Sequence, residues 1–212
     1  MPSIRSRRKS NRRKVFSNAY DTASKALNVA MKVKSLLNVE YKHIDVVPFT
    51  DTPSTTPSVY TLNACAEGDG SNQRSGISLR LKNLRLKGYY VMHGTATNTS
   101  VRIAIILDRS PNSNEATFTD VYESASVVTL PNNVTEKRFK ILKDTNITLS
   151  GSGEENGSFD WYFPMNHITR YSNAGGTPND IETNQVLLMI WSNESTNTPS
   201  VAVSTRIRYI DN

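Results

Sequence analysis

The hydrophobic rhythm of the chain changes near residue 39. Before that point, SNAYDTASKALNVAMKVKSLLN spaces Tyr20, Ala23, Leu27, Ala30, Met31 and Leu37 at the three- and four-residue intervals of one helix face, with Lys25, Lys32 and Lys34 elsewhere. Asn18 is placed to cap this segment, Asp21 lies near its positive end, and neither Gly nor Pro interrupts residues 17–40. The pattern predicts one amphipathic helix over 17–38, about five turns long.

From residue 39 the period falls to two. VEYKHIDVV alternates Val39, Tyr41 and His43 against Glu40, Lys42 and Ile44; a Pro/Thr loop follows at 52–58, then a short strand in VYTLNAC. GISLRLKNLRLKG is the most regular piece. Ile77, Leu79 and Leu81 share a face, the parity slips after Asn83, and Leu84 and Leu86 continue. A bulge near Asn83 would hold all five on one side and put Arg80, Lys82, Arg85 and Lys87 on the other. VRIAIIL (101–107) is apolar on nearly both sides, as at the centre of a sandwich. In residues 136–150 Phe139 and Ile141 are expected inward, Arg138 and Lys140 outward. DWYF and NHITRYS read as extended pieces, and NQVLLMIW as a buried strand. The closing SVAVSTRIRYID alternates Val201, Val203, Thr205, Ile207 and Tyr209 against Ala202, Ser204, Arg206 and Arg208. Polar loops separate about eight strands, and no second amphipathic helix follows residue 38. The expected fold is all-β, a single eight-stranded antiparallel jelly roll over 39–212.

Charge divides the chain at the same place. The net charge is +6, but residues 1–42 hold eleven Lys/Arg against Asp21 and Glu40, while the remainder is mildly acidic. Residues 1–16 are too charged and too poor in apolar side chains to fold alone, so they are expected to form a disordered arm. Arg5, Arg7, Arg8, Lys9, Arg12, Arg13 and Lys14 fall within ten positions without an acid. Such a run neutralises phosphates and releases counterions without reading sequence. It has no aromatic residue before Phe16 and no aliphatic anchor beyond Ile4, so it suits a membrane surface poorly; a nuclear address is compatible with it. The basic strand residues Arg80, Lys82, Arg85, Lys87, Arg206 and Arg208 fit inner-surface phosphate contacts or the ordinary protection of outward strand faces.

No pattern for catalysis emerges. His43, His93 and His167 lie in separate segments, and neither a G-x-S-x-G elbow nor a phosphate-cradling Gly-Lys-Ser/Thr loop is present. EGDGSN (67–72) is first a turn signal and lacks the ligands of an EF-hand loop, and the Glu154/Glu155 pair sits in a Ser/Gly loop. Cys65 is the only cysteine, which excludes an intrachain disulfide and a thiolate zinc cluster. No enzyme activity, metal or cofactor is expected. The five N-x-S/T matches are discounted as chance in a chain this rich in Asn, Ser and Thr. The longest apolar run, Val186–Trp191, is far short of a spanning helix, and no secretory signal opens the chain, so it is expected to be soluble and intracellular.

CAEGDGSNQRSGISLRLKNLRLKG, VRIAIILDRSPN and TEKRFKILKD, preceded by SLLNVEYKHID, resemble in order and spacing the capsid proteins of small circular Rep-encoding single-stranded DNA viruses of the circovirus-like kind. The resemblance covers most of residues 35–145. It implies a jelly-roll subunit, an icosahedral shell of about sixty copies, and an arm packaging a circular single-stranded DNA genome. It also implies residence in the virion, and in the host nucleus during assembly, with a nuclear import receptor as a further partner. Gly68, Asp69, Gly70, Arg74 and Gly76 match a turn leading into a strand, and Arg138 and Phe139 a motif strand; their implied roles are in folding or subunit contact. Two other readings stay open: the coat protein of a small single-stranded RNA or satellite virus, and a β-sandwich nucleic-acid-binding protein that does not assemble.

Overall fold

The computed structural model describes residues 20–30, 32 and 41–211. The seven arm cations therefore lie outside the described residues, as do 17–19, 31 and 33–38 of the expected helix. Two units are distinguished, 1–40 and 41–212. In the first, 20–30 is helical (α1) and every one of its side chains is exposed, including Tyr20, Leu27 and Val29.

The second unit has nine strands among the described residues: β1 Lys42–Asp51, β2 Ser58–Thr61, β3 Ser78–Val91, β4 Asn98–Asp108, β5 Phe139–Ser150, β6 Asn156–Tyr171, β7 Ile181–Thr183, β8 Gln185–Ser192 and β9 Ser200–Asp211. They form a five-stranded sheet, β1-β9-β3-β6-β7, and a four-stranded sheet, β2-β8-β4-β5. The first half of the chain pairs antiparallel with the second half in reverse order: β1 with β9, β2 with β8, β3 with β6, β4 with β5. A hairpin of four strand pairs wrapped over two sheets is a jelly roll, so the expected fold holds, with the three-residue β7 added at the β6 edge.

The two-residue period builds the core directly. Leu79, Leu81, Leu84 and Leu86 of β3 lie beside Val201, Val203, Ile207 and Tyr209 of the neighbouring β9 on the inner face of one sheet, and all are buried. The register of β3 against β9 shifts between Leu81 and Asn83, which keeps the leucines on one side as the parity slip required. Ile77 does not join them. β3 begins at Ser78, and Ile77 stands in the preceding turn, 70% exposed, its carbonyl taken by the Tyr171 N–H. The two extended pieces at 160–163 and 166–172 belong, short of Ser172, to one strand, β6. Pro164 is tolerated inside it because β7 pairs only near Arg170 and Tyr171, which leaves that stretch of β6 a free edge needing no N–H. Gly88 serves close approach: a Cβ there would lie 2.4 Å from the Ala202 carbonyl and 2.4 Å from the Phe159 ring, which stacks on Trp161.

β4 is apolar on both sides because it has two partners. Val101, Ile103, Ile105 and Leu107 fill the sandwich, while Ala104 and Ile106 lie under the segment 109–138. That segment lays Phe118, Val121 (both in the one-turn helix α2, Phe118–Val121) and Tyr122 against Met189 and Trp191 of β8, Phe118 meeting Trp191 edge-on at 4.9 Å. Three arginines, two of them buried, tie it and its neighbours down. Arg102 makes a two-pronged pair with Asp144 at 2.7 Å on each oxygen and donates to the Val127 and Thr129 carbonyls. The Arg138 side chain does not point outward as the alternation suggested; it precedes β5 and pairs with Asp108, itself fully buried, at 2.6 and 2.9 Å. Burying Asp108 without a cation would be costly, and this exceeds any gain from exposing Arg138. Arg74, completely buried, is the third.

Candidate nucleic-acid interface

The outer face of the five-stranded sheet carries the side chains that the strand alternation turns away from the core. Register places them in rows. Tyr162 of β6 lies opposite Arg85 of β3, Arg85 opposite Arg206 of β9, and Arg206 opposite Asp45 of β1. The row below reads Asp160, Lys87, Ser204; the row above reads Pro164, Asn83, Arg208, His43. Arg85, Lys87, Arg206 and Arg208 thus line one shallow hollow of about 400 Å³. Lys82 is at the β3 bulge itself and Arg80 stands on its other side, where it donates to the Asn166 amide oxygen at 3.3 Å. The structure therefore gathers four of the six basic strand residues and sets the other two beside them.

Two carboxylates temper this cluster. Arg85 holds Asp160 with two hydrogen bonds of 3.0 and 2.8 Å and Lys87 adds a contact of 3.2 Å. Arg206 holds Asp45 at 2.8 and 2.6 Å. The Arg85 hydrogen bonds, helped by Lys87, bring the Asp160 carboxyl down to about 2, and those of Arg206 lower Asp45. Among the described residues no carboxylate pairs with Arg208, so the face retains net positive charge. A carboxyl whose pKa is lower folded than unfolded stabilises above its unfolded value and stops doing so as pH falls through the folded one. Between pH 3.8 and about 2 the melting temperature is expected to drop, in part through Asp160. Asp160→Asn should flatten that portion of a melting-temperature titration; an unchanged profile in the variant would show the pair to be idle.

The loop 67–74 is a turn, as its glycines suggested: Gly70 N–H bonds the Gln73 side-chain oxygen at 2.9 Å, and Gln73 N–H returns to the Gly70 carbonyl at 3.0 Å. Among the described residues no group of three or more His, Cys, Asp or Glu is placed to hold a metal. Sequence reasoning missed Asp45, Asp160 and Tyr162 on the basic face. The signal available was the alternation of β6, in which Asp160 and Tyr162 share the outward parity, but it carries no information on which strand lies alongside.

Residues 8–212 match the family of the satellite tobacco necrosis virus coat protein. The chain belongs to that coat-protein family. A capsid protein of Satellite tobacco necrosis virus 1 is 33% identical over 130 residues, a stretch spanning 58% of this chain and 64% of that protein, so under two thirds of the relative's length is covered. Looser similarity extends to solved structures of Desmodium yellow mottle tymovirus (14% identity, 82% of this chain and 90% of that one, TM-score 0.38) and Cocksfoot mottle virus (15%, 80% and 94%, 0.39). The empty particles of cowpea mosaic virus give 8% identity, 82% and 87% coverage and a TM-score of 0.39. The jelly-roll assignment stands on the strand order itself.

Family membership corrects the resemblance to circovirus-like capsids. The family is that of the satellite tobacco necrosis virus coat protein, and the single-stranded DNA genome, nuclear stage and import receptor lose the similarity that implied them. The physical reason lies in the fragments that carried it. Apart from SLLNVEYKHID, which runs into β1, they are β3, β4 and the start of β5 with their turns, where two-residue alternation and a bulge are demanded by packing in the sandwich. Such words specify the fold of a coat protein and say nothing of the genome inside it.

Proposed function

We propose that the chain is a capsid subunit that assembles with identical copies, about sixty in a closed icosahedral shell, and packages single-stranded RNA. The observation that carries this reading is the coat-protein family match, which runs from residue 8, within the basic arm, through the sandwich. In this reading the arm residues Arg5, Arg7, Arg8, Lys9, Arg12, Arg13 and Lys14 neutralise phosphates without sequence preference, and the basic face of the five-stranded sheet is turned toward the packaged strand. The separation of labour follows from the charge division: the arm is strongly basic, and the mildly acidic sandwich gathers Arg85, Lys87, Arg206 and Arg208 on one sheet face.

Purified protein should elute as a large assembly and show uniform shells of roughly 20 nm by negative-stain microscopy, a size set by enclosing about sixty domains of this length. Nucleic acid recovered from them should be sensitive to RNase and resistant to DNase after extraction. Deleting residues 1–14 should leave the sandwich folded and remove most protected RNA. A persistent monomer under varied salt and pH, with RNA present, contradicts the capsid reading; DNase-sensitive contents contradict the RNA assignment; and normal packaging without the arm moves binding to the sheet face.

A further inference from the structure

We propose that Tyr162 is a stacking platform for an unpaired base of single-stranded RNA, whose neighbouring phosphates are held by Lys87 and Arg208. The inference rests on the reading of the basic sheet face as the side that meets the packaged strand. Tyr162 is 62% exposed on a sheet face whose other large side chains in the hollow are charged. Among the described residues no other ring stacks on it. The core does not explain an aromatic ring there, because its inward neighbours Trp161 and Phe163 already pack against the interior.

The surroundings supply the rest of a nucleotide site. Neighbouring strands stand about 4.8 Å apart, so Tyr162, Arg85 and Arg206 lie in a row about 10 Å long. Arg85, next to the tyrosine, is committed to Asp160 with both prongs, which fixes the floor of the site and leaves the ring face to another occupant. Among the described residues Arg208 has no carboxylate partner, and Ser204 between Lys87 and the β1 edge keeps the hollow open. Its volume of about 400 Å³ falls in the range of small-molecule sites. Asp45 and Asp160 repel phosphate at two points and so leave Arg208 and the free side of Lys87 as the places where it is accepted. Duplex RNA meets these cations only through its phosphates, because its bases are already stacked; an unpaired base can also cover the ring.

The test compares the full chain with Tyr162→Leu and Tyr162→Phe in binding a labelled single-stranded RNA oligonucleotide and a duplex RNA of equal length, at a salt concentration of about 0.3 M that weakens the phosphate contribution of the arm. Tyr162→Leu should weaken single-strand binding by about 5- to 100-fold and leave duplex binding unchanged, while Tyr162→Phe stays within about twofold of the original. Thermal melts check that both variants fold, as an exposed position allows. Equal single-strand affinity for Tyr162→Leu, or an equal loss on the duplex, overturns the stacking site. If the unaltered chain meanwhile assembles and packages RNA, the capsid reading survives that result; if it does neither, both fall.

Discussion

Replacing Arg74 by methionine is expected to lower the unfolding midpoint by roughly 10 °C, since each kcal/mol shifts a domain of this size by about 2–4 °C. The side chain is completely buried and its guanidinium is the hub of two loops, the β2–β3 and β6–β7 connections. Nε donates to the Cys65 carbonyl at 3.0 Å, Nη1 to the Gly76 carbonyl and, at 3.5 Å, to Glu67, and Nη2 to the Asn173 carbonyl. The plane lies 4.3 Å from the centre of the Tyr171 ring, whose hydroxyl donates to the Asn63 carbonyl at 2.7 Å. Methionine replaces the volume but leaves buried carbonyls and Glu67 without their donor, a loss of about 3–5 kcal/mol. Lysine keeps the charge without the planar fork, so Arg74→Lys should recover little. Association raises apparent stability, and the melts must compare variants in the same assembly state. A midpoint moved by less than about 3 °C would sink the idea that Arg74 organises these loops.

Arg102→Met is expected to cost about 3–5 kcal/mol and to loosen the segment 122–131 before the sandwich itself melts. Arg102 sits over the Tyr122 and Trp191 rings, each 5.1 Å away, while Asp144 accepts from both prongs of the guanidinium and, at 2.8 Å, from the Tyr122 hydroxyl. Burial, reinforced by Asp144, pushes the Tyr122 phenol far above its ordinary value, so it remains a donor throughout. Trp191 completes the attachment by donating to the Ser126 carbonyl at 3.3 Å. Arg102→Met alone strands a carboxylate, and Asp144→Leu alone strands a guanidinium. The double variant strands neither and should be less damaging than the two losses added, by at least about 1 kcal/mol. Urea unfolding provides the cycle, and limited proteolysis reports cleavage within 122–131. Simple additivity would mean that the pair does not act as a unit.

The two cations differ in what the sequence disclosed. Arg74 stood in a recognisable turn, and its implied role in folding agrees with its burial; its bond to Asn173, across 99 residues, had no trace in the pattern. Arg102 interrupts VRIAIIL, which was legible as a strand buried on both faces, but nothing in that word names Asp144 as its partner. Arg138 was assigned outward by parity, and the error shows the limit of parity at a strand end: the residue is outside β5, where alternation no longer governs direction. Ile77 fails for the same reason at the other end of the rule, one residue before β3.

Alternation, the Asn83 slip and the break in charge near residue 42 are local properties, each set by the chemistry of a side chain and its next few neighbours. The sequence by itself therefore determined the sandwich, the inward leucines of β3 and the outward basic residues. It did not determine that β3 lies between β9 and β6, because that adjacency arises only when the hairpin of strands closes on itself. Arg206 meets Asp45 across 161 residues and Tyr162 meets Arg85 across the β3–β6 pairing, so the hollow, its two tempering carboxylates and its exposed ring exist only in the tertiary structure.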